Sequence, residues 1–277
     1  MPIVTTDDSE LYYERSGDGP RLLFLLGSGS TIEGSRLLLD PFGARFQLLV
    51  SDYRGMGRSG PTGGPYDMAT CASDALTVMD AVGWESARVC GLSFGGMVAQ
   101  ELAVTAPDRV ERLALLCTSA GGAGGSSYPL HELEELDRAE RDRVARQLLD
   151  TRFDDEWLAS HPGDRALCEM LATRADGAGA ESRRGTAEQF EARRHHDVWD
   201  RLGAITCPTF VACGRHDGIA PPDNSRAIAS RIDHADLHVY DGGHVFVVQD
   251  RTSLPELFRF LSEPSSAPRS TAVGGRG

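Results

Sequence analysis

The chain has 277 residues, with 28 basic against 41 acidic side chains and a formal net charge of −13. An apolar fraction of 40% is enough for one large core, or for a core with an insertion. The acidic excess argues against nucleic acid and anionic membranes as partners, since both require basic patches.

No apolar run approaches the roughly 18 residues of a transmembrane helix. The opening MPIVTTDDSE is acidic and lacks an apolar centre, so no secretory signal is expected. Cys71, Cys90, Cys117, Cys168, Cys207 and Cys213 form no C-x-x-C pair and no Cys/His zinc spacing. They are expected to be reduced thiols in a cytoplasmic protein, with no metal. All 28 basic residues are Arg.

Residues 2–16 alternate and turn like a strand or hairpin at a sheet edge. Arg21 to Leu26 and Gln47 to Asp52 are short apolar runs bounded by turn residues, the pattern of strands buried on both faces. Met68 to Val82 has helical spacing and ends near Gly83. Ala87 to Leu92 reads as a strand and Phe94 to Ala106 as a helix, stopped by Pro107. Val110 to Cys117 is another buried strand, followed by the flexible crossing Gly121 to Ser127. Leu130 to Leu202 is helix-like throughout, with Leu133, Leu136, Val144 and Leu148 on one expected face and Leu167, Met170 and Leu171 on another. Strands near Thr209 and from Ala235, and helices over Arg226 to Ile232 and Ser253 to Leu261, complete the core. The tail from Pro264 is rich in Pro, Gly and Ser and is expected to be disordered. Strands alternating with helices predict an α/β fold with a mostly parallel sheet flanked by helices.

Gly91-Leu92-Ser93-Phe94-Gly95 is a G-x-S-x-G pattern set between a strand and a helix. That context gives it meaning. A serine on so sharp a turn needs neighbours with almost no side chain, and the turn lifts its hydroxyl above the sheet. Downstream, Asp217 lies in a Gly/Pro-rich loop after one strand, and His244 follows Gly242-Gly243 after the next. Serine is a poor nucleophile without a base, and the base needs an orienting partner. Histidine changes charge near neutral pH and suits the first role; a carboxylate suits the second.

The order Ser93, Asp217, His244 resembles the triad of the α/β-hydrolase family, over about residues 10–262. The resemblance implies a core of residues 1–125 and 203–277 with a helical cap inserted at 126–202. It also implies cofactor-free hydrolysis of an ester or lactone through an acyl group on Ser93. One oxyanion-hole amide is expected from Phe94 and the second from Ser28, in the loop Gly27-Ser28-Gly29-Ser30-Thr31. Most members carry His-Gly where this chain has Leu26-Gly27; the loop is more similar to that of the 3-oxoadipate enol-lactonase branch. Gly27, Gly29, Met97, Trp157, Val245 and Phe246 are expected to line the pocket, with Phe153, Met170 and Trp199 contributed by the cap. Their composition predicts a small, largely apolar substrate.

Asp52 to Ser59 resembles the family's D-x-R-G-x-G-x-S stretch and reads as a braced turn. A substrate-carboxylate clamp by Arg54 is the alternative. Gly27, Gly29, Gly55 and Gly57 are read as having neither a G-x-G-x-x-G pattern nor a Walker lysine with them, so no nucleotide site is expected. His195-His196 reads as packed or solvent-facing. The triad pattern leaves C–C hydrolase, acyltransferase, perhydrolase and cyclase activities open, and a ligand receptor too, although a receptor need not keep all three residues. A homodimer is also open.

Overall fold

The computed structural model describes residues 2–176 and 179–264. Most of the expected disordered tail, residues 265–277, lies outside them. Eight strands form one sheet in the order β1-β2-β4-β3-β5-β6-β7-β8. They are β1 (Ile3–Thr5), β2 (Glu10–Ser16), β3 (Arg21–Leu25), β4 (Gln47–Ser51), β5 (Ala87–Leu92), β6 (Val110–Leu116), β7 (Thr209–Gly214) and β8 (Ala235–Tyr240). β1 and β2 pair antiparallel at one edge, as the alternation of residues 2–16 predicts, and every pairing from β4 to β8 is parallel. The central strands are apolar because helices cover both faces; Leu22, Leu23, Val89, Cys90, Leu113 and Val211 are fully buried.

The core helices are α1 (Arg36–Gly43), α2 (Met68–Ala81) and α3 (Phe94–Thr105). Between β6 and β7 come α4 (Arg138–Leu149), α5 (Asp155–Ser160), α6 (Pro162–Asp176) and α7 (Ala180–Arg193). After β7 come α8 (Pro222–Arg231), α9 (Phe246–Gln249) and α10 (Ser253–Ser262). No helix of the described residues is long and apolar enough to cross a membrane.

Local chemistry explains where sequence and structure part. α1 was hidden by Pro41 within it, yet it buries Leu39 and Phe42, one turn apart. α8 starts a turn earlier than expected because proline suits a first helical turn. The expected face through Leu133, Leu136, Val144 and Leu148 is broken. Leu136 is extended, and the Asp137 carboxylate accepts from Glu140 N–H at 3.0 Å to start a new helix, α4. In α6 Cys168 turns inward and Met170 outward, 37% exposed. The ends of the helical segment meet at a bridge between Gly121 and Asp197.

The Asp52–Ser59 stretch is a braced turn. Asp52 accepts from the N–H groups of Ile32 and Arg58 at 2.7 and 2.9 Å. The buried Arg54 guanidinium donates to both Asp74 oxygens at 2.7 and 2.8 Å and to Asp8 at 3.0 and 3.1 Å, which leaves it unable to clamp a substrate. Gly55, Gly57 and Gly60 do have the spacing of a dinucleotide loop, but no helix opens on them; α2 begins only at Met68.

Candidate active site

Three loops at the C-terminal ends of parallel strands converge, the usual place for a site in an open α/β sheet. The first is the turn from β5 into α3. Ser93 there has φ 54° and ψ −113°, a strained conformation costing about 1–3 kcal/mol. Its N–H donates to Leu116 O at 2.8 Å, and its carbonyl accepts from the Thr118 hydroxyl at 2.8 Å. These bonds tie the turn to the end of β6. The flanking glycines are required by contact: a Cβ on Gly91 would overlap the Gly95 carbonyl, and one on Gly95 would overlap the Leu25 carbonyl.

The second loop follows β7 and carries Asp217; the third follows β8 and carries His244. Asp217 is buried, and its Oδ1 accepts from the N–H groups of Ile219 and Ala220, each at 2.8 Å. Its Oδ2 lies 2.8 Å from His244 Nδ1, and His244 Nε2 lies 3.0 Å from Ser93 Oγ. The carboxylate is thus fixed by the backbone before it meets the imidazole, and the imidazole spans from acid to hydroxyl.

The helical segment buttresses this arrangement from two sides. At the end of α4, Leu148 O accepts from Gly218 N–H at 3.0 Å and Leu149 O from His244 N–H at 2.6 Å. Fully buried Asp150 pairs with Arg152 at 2.7 Å and accepts from Gln249 Nε2 at 3.0 Å. Gln249 Oε1 in turn accepts from Gly243 N–H at 2.8 Å, beside His244. Burial alone would raise the Asp150 pKa, but the bonds from Arg152 and Gln249 hold its carboxyl below the usual range. On the other side α7 reaches the loop after β3, where Gln189 Oε1 accepts from Gly29 N–H at 2.7 Å.

That contact bears on the expected oxyanion donors. Gly29 is already engaged. The Phe94 N–H, at the first position of α3, and the Ser28 N–H have no acceptor among the described residues. The Gly27 backbone lies beside Ser93, where a Cβ would stand 3.8 Å from the Ser93 Cβ. The Phe94 ring packs edge-on against Tyr53 in the core, so only its amide faces the site.

The expected pocket residues divide. A cavity of about 130 Å³ lies along α3 and is lined in part by Met97, but Trp157, Val245 and Phe246 are not in its wall. Trp157 donates to Asp164 at 2.8 Å, stacks on His161, and packs with Phe153, Leu158 and Cys168 in a separate cluster. Phe246 stacks on Tyr240 in the core. Trp199 packs against Gly124 under the Arg231 guanidinium. Half-buried Val245 precedes α9. The cavity wall instead holds Arg193 and His196, which sequence reasoning missed as site residues. The available signal was the run Arg193-Arg194-His195-His196, an unbroken basic and imidazole patch in an acidic chain.

Cys117 shares the neighbourhood: ligand atoms of Cys117, Asp217 and His244 lie within 4.8 Å of one another. The acid and imidazole are already bonded to each other, and burial pushes the thiol pKa far up, so the trio suits a metal poorly.

The chain belongs to the alpha/beta hydrolase fold family, whose pattern it matches over residues 20–173. It is an α/β hydrolase enzyme. It is 30% identical over 251 residues to the protein named "Putative carbamate hydrolase RutD" of Azorhizobium caulinodans, covering 89% of this chain and 92% of that one. It is 25% identical over 262 residues to 3-oxoadipate enol-lactonase 2 of Acinetobacter baylyi, covering 94% of each. The solved enol-lactonase of Burkholderia xenovorans LB400 superposes with a TM-score of 0.77 at 25% identity, over 95% of this chain and all of the other.

Proposed function

We propose that the protein hydrolyses a small ester or lactone through an acyl-enzyme on Ser93. One observation carries this reading: the unbroken line from Ser93 Oγ through His244 to a backbone-anchored Asp217, with spacings of 3.0 and 2.8 Å. As Ser93 Oγ attacks the substrate carbonyl, its proton passes to His244 Nε2, and Asp217 stabilises the imidazolium. Negative charge on the carbonyl oxygen is met by the amides of Phe94 and Ser28. The tetrahedral adduct collapses, and His244 returns the proton to the leaving oxygen. Water then gives a proton to His244 and attacks the acyl carbon, which frees the acid and restores Ser93. Residues 126–202 act as the cap that bounds the substrate. The same attack would open a carbamate, so the name of the 30% relative adds carbamates to the substrates to be tried.

A fluorophosphonate probe should label the wild type on the peptide containing Ser93 and spare Ser93→Ala. Turnover across an ester, lactone, thioester and carbamate panel should fall by about 10³-fold or more in that variant. Adding His244→Ala should then cost little more, because the residues act as one unit. Equal labelling of Ser93→Ala, or near-normal turnover by His244→Ala, would defeat the assignment.

A further inference from the structure

The cavity beside α3 is lined by Met97, Ser119, Ser127, Phe190, Arg193 and His196 among others. Its wall does not include Ser93 or His244, but two of its residues, Met97 and Ser119, come from the elements that hold the turn at Ser93. Met97 lies one turn along α3 with its N–H on the Ser93 carbonyl at 3.3 Å, and residues four apart share a helix face. Ser119 follows Thr118, which bonds the same carbonyl.

Arg193 is the unusual member. One of its terminal amino groups donates to Tyr128 O at 2.7 Å, and the Phe190 ring centroid lies 6.0 Å away. None of its other donors has a partner among the described residues. Its neighbour Arg194 pairs with Glu191 at 3.2 Å; Arg193 pairs with no carboxylate. Burial without a compensating acid lowers its pKa to about 10, which leaves it cationic at neutral pH. A partly desolvated, unpaired guanidinium is costly to keep. In the same wall His196 is only 9% exposed, and neither ring nitrogen makes a well-formed hydrogen bond, the Ser119 backbone giving its charged form only partial support. Burial pushes it down to about 4, so it is neutral and has one N–H to donate. The Ser119 and Ser127 hydroxyls bond each other at 2.9 Å, so the pair has one further O–H to donate.

We propose that this cavity receives a carboxylate of the substrate on Arg193, so that the hydrolysed molecule is a small ester or lactone bearing a free acid group. This rests on Ser93 being the nucleophile. A planar guanidinium with free donors matches a carboxylate in geometry and charge. Arg194 also lines the wall but is paired with Glu191, so one cation without a carboxylate partner among the described residues remains, which suits a monoanion better than a phosphate; the net charge of −13 also disfavours polyanions. The inference departs from the apolar substrate expected from composition, because the cavity wall is supplied by the basic end of α7 and the expected aromatics lie elsewhere.

The test compares two para-nitrophenyl esters of equal chain length, the hemiglutarate and the pentanoate. In the wild type kcat/KM should favour the hemiglutarate. In Arg193→Gln the ratio of the two kcat/KM values should fall by about 30-fold, and Arg193→Lys should recover part of it. A merely structural role would lower both esters together and leave the ratio unchanged, which overturns the proposal. Calorimetry on Ser93→Ala supplies an arm that needs no turnover. Glutarate should bind at one site, without competition from inorganic phosphate, and binding should vanish when Arg193→Gln is added. Glutarate binding without hydrolysis of either ester would keep the carboxylate site and defeat the serine-hydrolase reading. Hydrolysis with no glutarate binding, or tighter binding of phosphate than of glutarate, would defeat the carboxylate site alone. Should Arg193→Gln fail to fold, wild-type inhibition decides: glutarate should compete with substrate, the uncharged glutaramide should not, and equal inhibition by both overturns the proposal.

Discussion

His196→Phe tests whether the cavity wall is as desolvated as its geometry implies. In the folded protein burial lowers the His196 pKa from 6.5 to about 4; in the unfolded chain it returns to its ordinary value. Between those two values the unfolded state binds the extra proton, so stability is full above about pH 6.5 and is lost as pH falls toward 4. At about 1.4 kcal/mol per pKa unit, the full difference is worth roughly 3 kcal/mol. About 2 kcal/mol of it should be lost between pH 7 and pH 5, where the unfolded imidazole is mostly charged and the folded one is not. Urea unfolding at both pH values gives the change in free energy for each protein. Carboxylates that titrate over the same range contribute equally to both, so the wild type should lose about 2 kcal/mol more than the variant. Phenylalanine keeps an aromatic ring at the position and has nothing to protonate. A difference below about 0.5 kcal/mol would mean that water or a partner reaches the imidazole in the folded state, and the argument for a dry, unpartnered His196 would fail.

Three further outcomes follow from other contacts. Gly95→Ala should lose at least ~3 kcal/mol in urea unfolding and also lose fluorophosphonate labelling, because the Leu25 carbonyl leaves no room for a Cβ; a stable, labelled variant would contradict the packing of the elbow. Asp150→Ala should cost about 3 kcal/mol and reduce kcat more than it raises KM, since it removes the partner of Arg152 and of the Gln249 that holds Gly243; a change in KM alone would separate Asp150 from the placement of His244. Trp157→Ala should lose about 1–3 kcal/mol of stability with no shift in acyl-chain optimum across a para-nitrophenyl ester series, because its ring is committed to Asp164 and His161; a shifted optimum would return it to the pocket.

The sequence by itself determined the sheet and the line of reactive groups. Both depend on local steric rules that leave marks in order and spacing. Apolar runs such as Leu22 to Leu25 can only be strands covered on both faces, and a serine between Gly91 and Gly95 can sit only on a turn too tight for side chains. The relation of Ser93, Asp217 and His244 was legible because each follows a parallel strand, and parallel strands deliver their ends to one edge. Only the tertiary structure decided what surrounds them. Periodicity says which side of a helix is apolar, but not where that helix lies. It therefore placed Leu133 and Val144 on one face across the Asp137 cap that divides them, and it gave no sign that the Trp157 ring packs with Phe153, Leu158 and Cys168. Asp150 and Gln189 carry no local pattern at all, and the basic run that begins at Arg193 does not say what it meets. Their roles come from contacts over long separations: with Gln249, with Gly29, and with a cavity bounded by α3. Arg54 and Arg193 show the same limit from opposite sides. Both are arginines in an acidic chain, and the difference between a brace and an open cation lies in which carboxylates the fold brings within reach: Asp74 and Asp8 for the first, none among the described residues for the second.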